Sequence, residues 1–202
     1  MKLASSLSRF FLGLSIIALP VTILAQSAQS TPNPYGAQSN SMHSSMNSGN
    51  LSSADKTFVD KAAEGGLAEV ELGQMATEKA SNPEVKKFGE RMVRDHSKAN
   101  DELKAVAQED GITLPDHLSA KDQMLKERLS KLSGPSFDSS YMRNMVKDHK
   151  TDVAEFEREG KSSHDNVAQF AQKTFPVLQS HLHQAEKIAP KVGASLSTKG
   201  AE

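Results

Sequence analysis

Apolar residues recur every three or four positions through most of the chain between residues 53 and 190. This spacing is typical of helices that bury one face, and no segment shows the alternation of a strand. The predicted helices cover residues 53–80, 83–110, 120–132, 137–159 and 165–189. Long helices joined by two short turns and one long link predict an all-α fold, a ferritin-like four-helix bundle. The link between the second and third long helices carries the short helix as a crossover.

Capping residues and helix breakers set the predicted ends. Ser53 is a suitable cap for the first helix, and the Ser81-Asn82-Pro83 break separates it from the second. Gly111 is a typical stop signal. Pro176 lies inside the last helix, where it removes one backbone hydrogen bond and is expected to bend the segment. The bend is either simply tolerated or serves to direct His181.

One ionisable side chain interrupts the apolar face of each long helix, when residues are placed about 100° apart around the axis. These residues are Glu69, His96, His149 and His181. The apolar residues predicted to share the core face with the last two include Val153 and Val177. Burying such groups unpaired would cost several kcal/mol each. We therefore expect them to bond to one another, hold water, become neutral or bind a metal.

Residue counts from the predicted turns compare the heights of these side chains. Glu69, His96 and His149 fall near the middle of the bundle, with about 3 Å between the first two. His181 falls roughly 9 Å from the level of His149, nearer Asp138, unless the proline bend corrects the register. Asp138 shares the helix face of His149 and is a further candidate carboxylate ligand for the metal. The sequence therefore predicts three ligands at one level and leaves the place of the fourth open.

A glutamate with two or three histidines suits iron, zinc or manganese, because imidazole and carboxylate serve all three metals. Glu69, His96 and His149 would bind the ion, and His181 or water would complete the coordination sphere. Haem held by His96 or His149 with Met92 or Met145 is a weaker alternative, since methionine at helical spacing usually belongs to the core.

A short duplication surrounds two of the histidines: Met-Val-Arg-Asp-His ends at His96 and Met-Val-Lys-Asp-His ends at His149. Asp95 and Asp148 therefore lie about 100° around the helix from the adjacent histidine. Each acid either orients an imidazole on a neighbouring helix or pairs with a lysine or arginine on the helix flank. The sequence leaves both alternatives open.

The N-terminus has the features of an export signal. Lys2 and Arg9 precede an apolar run over residues 10–24. The run is shorter than the roughly 20 residues of a membrane span, so we expect a cleaved signal peptide over residues 1–25. The predicted location is the periplasm or the outer membrane, and no later segment is expected to span a membrane.

Residues 26–52 are rich in Ser, Gln, Asn and Gly and predict a disordered linker. Residues 53–190 then form the folded domain, and residues 191–202 form a flexible tail. Removal of the signal takes two of the 24 basic residues and none of the 25 acidic ones, which leaves a formal charge of −3. This balance argues against a nucleic-acid partner. The envelope partner is not indicated, and homo-oligomerisation stays open.

Several motifs follow one another in order along the predicted domain. They are Gly65-Gly66-Leu67-Ala68-Glu69-Val70-Glu71-Leu72, Met92-Val93-Arg94-Asp95-His96, Ser133-Gly134, Phe137-Asp138, Tyr141, His149 and Phe175-Pro176 with His181. In these motifs the chain resembles the secreted ferritin-like family called domain of unknown function 4142. The resemblance implies a bacterial envelope protein with a ferritin-like bundle and no established activity. It also implies accessory polar roles for Asp95, Asp138 and Tyr141 beside the four core residues.

Di-iron carboxylate proteins carry Glu-x-x-His on two helices, but this chain has Val93, Val146 and Leu178 three residues before its core histidines. The difference argues against ferroxidase chemistry and favours a mononuclear or mixed site. The absence of cysteine from the sequence excludes disulfides, thiolate ligands and cysteine nucleophiles.

Three functions follow from these features. The first is a module that binds a divalent transition metal in the envelope. The second is a non-catalytic structural or stress-related interaction protein with a hydrogen-bonded polar core. The third, a metal-dependent oxidoreductase, ranks last because the sequence shows no substrate pocket, nucleotide motif or nucleophile, so an enzyme is not favoured.

Overall fold

Five α-helices account for most of the structure, a computed structural model that describes residues 51–162 and 165–195. They are α1 (Ser53–Lys79), α2 (Pro83–Glu109), α3 (Ala120–Ser130), α4 (Gly134–Glu159) and α5 (Asn166–Ile188). A short 3-10 helix, Ala189–Val192, follows α5. The two described ranges contain no strand, which confirms the prediction of an all-α fold. The predicted signal peptide and nearly all of the predicted linker lie outside these ranges.

The first two long helices begin at side-chain caps. The hydroxyl of Ser52 accepts a hydrogen bond from the Asp55 amide at 3.1 Å, and the Asp55 carboxylate accepts one from the Ser52 amide at 3.0 Å. This reciprocal pair is a capping box, so the cap is one residue earlier than predicted. Asn82 caps α2 by accepting from the Glu84 amide at 2.8 Å.

Helix α4 begins at Gly134, three residues before its predicted start. The helix pattern in the sequence had placed Ser133, Gly134 and Pro135 in the connection. Gly134 has φ 58°, a conformation that glycine adopts without strain. Pro135 then falls in the first turn, where its missing amide hydrogen breaks no helical hydrogen bond.

The long helices pack in pairs. Helix α1 packs on α2, α4 packs on α5, α2 contacts α5, and α1 contacts α4. Each long helix therefore contacts two others, and α3 lies against α1 and α4. No helix in the described ranges is both long and apolar enough to cross a membrane.

Two glycines allow α1 and α2 to approach closely. A Cβ atom added to Gly73 would lie 2.8 Å from the carbonyl oxygen of Gly89. A Cβ atom added to Gly89 would lie 2.7 Å from the carbonyl oxygen of Gly73 and 2.8 Å from the Cβ of Ala76. The two backbones therefore meet at a distance that leaves no room for a side chain.

The core consists of two hydrophobic clusters with a polar layer between them. The first cluster contains Leu72, Met92, Met145 and Ala185, and the second contains Ala63, Leu103, Phe156 and Leu178, one residue from each long helix in each case. The polar residue of each long helix lies between its members of the two clusters. This polar layer consists of Glu69, His96, His149 and His181, all buried.

Some predicted core positions differ in the structure. Val177 was expected in the core but is 37% exposed, whereas Leu178 is buried. Both residues follow Pro176, which lies inside α5 as predicted. Val153, another predicted core residue, is half-buried. The predicted face of α5 is therefore displaced by about one residue just after the proline.

Folded structure continues past residue 190, the predicted end of the folded domain. Gly193 caps the 3-10 helix and has a left-handed φ of 67°. The amide of Ala194 then donates to the carbonyl of Ala189 at 2.9 Å, and Ala194 is buried in the first hydrophobic cluster. Val192 and Ala194 therefore pack against the first hydrophobic cluster.

Candidate metal centre

Three histidines from three helices meet in the polar layer. His96 on α2, His149 on α4 and His181 on α5 are 7%, 0% and 1% exposed. Their ring centroids are 5.8 Å apart for His96 and His149, and 5.3 Å apart for each pair that includes His181. One nitrogen from each ring can be chosen so that all three lie within 4.8 Å of one another. The described ranges contain no other group of His, Asp and Glu that meets this criterion.

A backbone carbonyl defines the tautomer of His149. Its Nδ1 lies 3.0 Å from the carbonyl oxygen of Met145, one turn earlier on α4. A carbonyl oxygen only accepts hydrogen bonds, so Nδ1 carries the proton and donates it. Nε2 therefore has a free lone pair, and this buried atom has no hydrogen-bond partner.

A carboxylate defines the tautomer of His181. Its Nε2 lies 2.9 Å from Oδ2 of Asp95 on α2. Burial opposes the charge on Asp95, but hydrogen bonds from His181 and Arg91 outweigh burial and lower the pKa of this carboxyl. An ionised carboxylate only accepts, so Nε2 of His181 donates. Its Nδ1 is left with a lone pair and is buried without a partner.

Two arginines hold Asp95 in place. Nε of Arg91 lies 3.1 Å from one carboxylate oxygen, and Nε of Arg94 lies 3.0 Å from the other. Arg91 also donates to Gln184 at 2.7 Å and to Ser180 at 3.0 Å, both on α5. The carboxylate that orients His181 therefore belongs to a network that connects α2 with α5.

Burial keeps all three imidazoles neutral. Desolvation and the neighbouring histidines lower the pKa of His96 well below its usual value, and its Nε2 also lacks a partner. Desolvation lowers the pKa of His149 to about 3. Desolvation also lowers the pKa of His181, although Asp95 opposes this effect. Neutral imidazoles with free lone pairs are the form that binds metals, so no proton has to leave first.

Glu69 lies behind His149 and not beside the free nitrogens. Its Oε1 is 3.7 Å from Nδ1 of His149, the nitrogen that already donates to Met145. Its Oε2 is buried without a hydrogen-bond partner, and desolvation followed by the charge of Asp152 raises its pKa well above the usual value. Glu69 is thus outside the group of converging nitrogens, which differs from the predicted ligand set.

Asp138 does not contribute to the centre either. Its two carboxylate oxygens accept hydrogen bonds from the Ser81 amide at 3.1 Å, the Ser81 hydroxyl at 2.5 Å and the Asn82 amide at 2.9 Å. All three donors belong to the turn between α1 and α2. The predicted ligand is therefore a structural acceptor that fastens this turn to α4.

The two duplicated aspartates have different roles. Asp95 contacts His181, the orienting alternative that the sequence left open. Asp148 lies 3.3 Å from Nζ of Lys121 on α3, which is the alternative of pairing on the helix flank. The short duplication therefore produces one orienting carboxylate and one surface pair.

Tyr141 is fully buried in the first hydrophobic cluster. Its ring stacks on Phe137 with centroids 5.5 Å apart and meets Phe88 edge to face at 6.3 Å. Its hydroxyl has no hydrogen-bond partner, so it bonds to none of the three histidines. Desolvation and the charge of Glu69 raise the pKa of the phenol well above its usual value.

The offset between α4 and α5 explains why His181 reaches the other histidines. Gln172 donates to the carbonyl of Gly160 at 2.6 Å, so the end of α4 lies beside a residue well inside α5. His149 lies 11 residues before Gly160, and His181 lies nine residues after Gln172. These counts differ by about 3 Å in height at 1.5 Å per residue. The predicted 9 Å mismatch was wrong because it assumed that the end of α4 and the start of α5 lie at the same height along the bundle.

Comparison with known sequences identifies the family. Residues 40–188 match the family described as "Domain of unknown function (DUF4142)". The chain belongs to this family. The resemblance found in the sequence motifs is therefore confirmed, and the DUF4142 match includes every helix that contributes to the histidine cluster. No curated protein matches the DUF4142 chain.

A solved structure has a similar fold. It is a crystal structure of a DUF305 fragment from Deinococcus radiodurans, with a TM-score of 0.62 and 12% sequence identity. The similarity covers 71% of the DUF4142 chain and 99% of the DUF305 chain. At this identity the likeness shows a shared fold alone.

Two parts of the site were not predicted from the sequence. Arg91 holds Asp95 from one turn earlier on α2, and this spacing of opposite charges is visible in the sequence. Asp152 lies one turn after Asp148, and this repeated acid was a signal for a cluster of like charges on α4. The carbonyl of Met145 carries no sequence signal, because every residue has one.

Proposed function

We propose that this protein binds one divalent transition-metal ion between His96, His149 and His181. The supporting observation is that each ring has a buried, unpartnered nitrogen and that the rings can bring three nitrogens within 4.8 Å. Unpaired buried polar atoms are uncommon in native proteins and cost about 1–3 kcal/mol each. A single ion would satisfy all three atoms at once.

The three imidazole donors favour some of the predicted metals, iron, zinc and manganese, over others. An all-imidazole set favours zinc or iron, whereas manganese prefers carboxylate, and both predicted carboxylate ligands contact other groups. Copper and nickel also accept imidazole. Three protein ligands leave a position for water or another small ligand, as in zinc sites that are open on one side.

The scaffold that we propose for the site is a ferritin-like four-helix bundle with α3 in the crossover. Support comes from the contacts of each long helix with two others and from the position of α3 between α2 and α4 in the chain. The export signal predicted over residues 1–25 supports a location in the periplasm or at the outer membrane. Together these features describe a metal-binding module of the cell envelope.

One observation favours a second candidate function, a structural protein with a metal-free polar core. The network of Arg91, Asp95 and His181 connects α2 with α5 through hydrogen bonds of 2.9–3.1 Å. Such a network stabilises packing without an ion. The two candidates differ in what they require of the free nitrogens, because only metal binding uses their lone pairs.

Elemental analysis of protein recovered from the periplasm, purified without chelator or polyhistidine tag, tests the proposal. Wild type is compared with His149→Ala and with His183→Ala, which removes an exposed histidine of α5. We expect stoichiometric transition metal in wild type and His183→Ala and its loss in His149→Ala. Metal-free wild type that resists loading, or equal uptake by all three proteins, would overturn the proposal.

A further inference from the structure

The oxygen of Asp95 that contacts His181 also contacts Arg91. Nε of Arg91 donates to Oδ2 of Asp95 at 3.1 Å, and Nε2 of His181 donates to the same atom at 2.9 Å. Nε of Arg94 donates to the other oxygen, Oδ1, at 3.0 Å. A carboxylate oxygen has two lone pairs, so the imidazole takes the one on Oδ2 that Arg91 leaves free. The contact from Arg91 therefore limits where the ring of His181 can lie.

The same guanidinium holds α5 on both sides of His181. Its Nη1 donates to Gln184 at 2.7 Å, and its Nη2 donates to Ser180 at 3.0 Å. Ser180 comes one residue before the histidine, and Gln184 comes three residues after it. A guanidinium is planar and rigid, so its donors keep fixed angles to one another. Arg91 therefore fixes the carboxylate of Asp95 and the α5 segment that carries His181 relative to each other.

Arg94 contacts the carboxylate of Asp95 in a different way. Its side chain is 68% exposed, whereas that of Arg91 is 26% exposed. Arg94 is also adjacent to Asp95 in the chain, so its hydrogen bond joins neighbours on α2 and does not connect two helices. The contacts of Arg91 relate two helices to each other, and the contact of Arg94 only restrains one side chain.

The duplicated motif provides an internal comparison. Arg-Met-Val-Arg-Asp-His ends at His96, and Asn-Met-Val-Lys-Asp-His ends at His149. Asn144 therefore stands where the first copy has Arg91, and it donates to a backbone carbonyl of its own helix at 2.7 Å. The aspartate of the second copy, Asp148, pairs with a lysine of α3 at 3.3 Å. The aspartate that orients an imidazole is thus the one in the copy that has the arginine.

We propose that Arg91 is a positioning residue of the metal centre: it directs Nδ1 of His181 towards the other two histidines by fixing Asp95 and α5 together. Arg91 is not itself a ligand, because a guanidinium has no lone pair to offer. A lysine at this position would keep the positive charge, but its compact ammonium group cannot reproduce three contacts in one plane. The inference rests on the proposed metal-binding function.

Metal affinity tests this role. Competition against a chromophoric chelator measures the Kd of Co²⁺ for wild type, Arg91→Lys and Arg94→Lys, the matched control that makes the same change beside the other carboxylate oxygen. We expect about tenfold weaker binding in Arg91→Lys, the lower end of the usual effect of groups that orient metal ligands. Arg94→Lys should change the Kd by less than about twofold, because exposed ion pairs contribute little. Equal affinities in the two variants would overturn the role of Arg91.

A double-mutant cycle separates positioning from a general loss of packing. Because the effect of Arg91 passes through Asp95, Arg91→Lys should weaken binding by only about twofold or less in Asp95→Asn protein. A tenfold loss in both backgrounds would mean that the arginine only supports packing, and would overturn the positioning role.

The α5 side of the contact is tested separately. Ser180→Ala/Gln184→Ala removes both α5 acceptors of Arg91 and leaves Asp95 in place. We expect this variant to bind Co²⁺ several-fold more weakly, whereas Gln179→Ala, which changes an exposed glutamine of the same helix, should match wild type. Unchanged affinity in the α5 double variant would overturn the role, and this test remains valid if Arg91→Lys fails to fold. Circular dichroism checks the folding of every variant.

A measurement on metal-free protein separates failure of this inference from failure of metal binding. Long-range proton–nitrogen NMR spectra distinguish the protonated and unprotonated ring nitrogens of His181. We expect a single tautomer with the proton on Nε2 in wild type and Arg94→Lys, and a second tautomer in Arg91→Lys. A single tautomer in all three proteins would overturn the positioning role, whether or not wild type takes up Co²⁺. A second tautomer in Arg91→Lys, together with wild type that binds no metal, would overturn the metal-binding function alone.

Discussion

The carboxylate of Asp95 lies 2.9 Å from Nε2 of His181 and links α2 to α5 beside the three histidines. This contact decides which nitrogen of His181 carries the proton. Because Nε2 donates outward, Nδ1 keeps its lone pair for the interior. A carboxylate behind an imidazole is a common arrangement around metals, where it orients the ring and raises its basicity.

Asp95→Asn should weaken metal binding by about 10–100-fold, the usual effect of removing such an orienting carboxylate. The amide has no negative charge and can present its NH₂ group to Nε2, which disfavours the required tautomer. Competition against a chromophoric chelator measures the affinity. Asp101→Asn, an exposed acid on the same helix, is the control. Equal affinity in both variants would mean that Asp95 does not orient a ligand.

Without metal, the protein should lose stability in acid through His149. Its pKa of about 3 lies below the unfolded value, so the unfolded state takes up the proton first as the pH falls. The stabilisation is present above about pH 6.5 and is lost towards about pH 3, with a size on the order of 4 kcal/mol. Urea unfolding with chelator at several pH values measures it. His149→Gln should show a flatter profile, and His183→Gln should follow wild type.

Asp152→Asn should stabilise the protein in mild alkali and have little effect in acid. The folded pKa of about 7 lies above the unfolded value, so the folded state keeps a proton that the unfolded state has lost. Stability is therefore lost as the pH rises from about 4 to about 7. Because Asp152 is half-buried, we expect a gain of about 1–2 kcal/mol near pH 8. Urea unfolding with Glu127→Gln as reference checks this, and a gain that is independent of pH would contradict it.

Asp138→Ala should destabilise the fold by about 3 kcal/mol, because two amides and a hydroxyl of the α1–α2 turn would lose a charged acceptor. Metal stoichiometry should not change. Urea unfolding and elemental analysis on the same samples measure both quantities. Asp60→Ala removes an exposed acid of α1 and serves as control. Loss of metal from a folded Asp138→Ala protein would mean that Asp138 is a metal ligand after all.

Gly73→Ala should cost about 1–3 kcal/mol, since its methyl group would lie 2.8 Å from a carbonyl oxygen of α2. Gly65→Ala on the same helix meets nothing within 4 Å and should gain up to about 1 kcal/mol from helix propensity. The urea midpoints of the two variants are measured and compared with that of wild type. Equal shifts would show that the helices separate easily at this position.

The sequence predicted the helices well because their ends depend on local chemistry. Caps such as Asn82 and stops such as Gly160 act within a few residues of their own position. The inward direction of His96, His149 and His181 also follows from the helical period, which is a local property. These features required no knowledge of how one helix lies against another.

The roles of Glu69 and Asp138 depend on tertiary register, and the sequence could not reveal it. The contact between Gln172 and Gly160 places α5 far enough along α4 to bring His181 to the level of His149. The hydrogen bond from the Ser81 hydroxyl to Asp138 forms only because α4 begins next to the α1–α2 turn. Residue counts alone reveal neither the position of α5 along α4 nor the position of the start of α4 beside the α1–α2 turn.

The three histidines come from three different helices, and this has a consequence for folding. His96 and His149 are 53 residues apart, and His149 and His181 are 32 residues apart. An ion held by all three would close two long loops in a chain that has no cysteine. At a free concentration of about 1,000 times its dissociation constant, a ligand that binds only the folded state adds about 4 kcal/mol. Bound metal would thus take the place of the disulfide cross-links that this polypeptide lacks. Its removal would destabilise the packing of α2, α4 and α5 together.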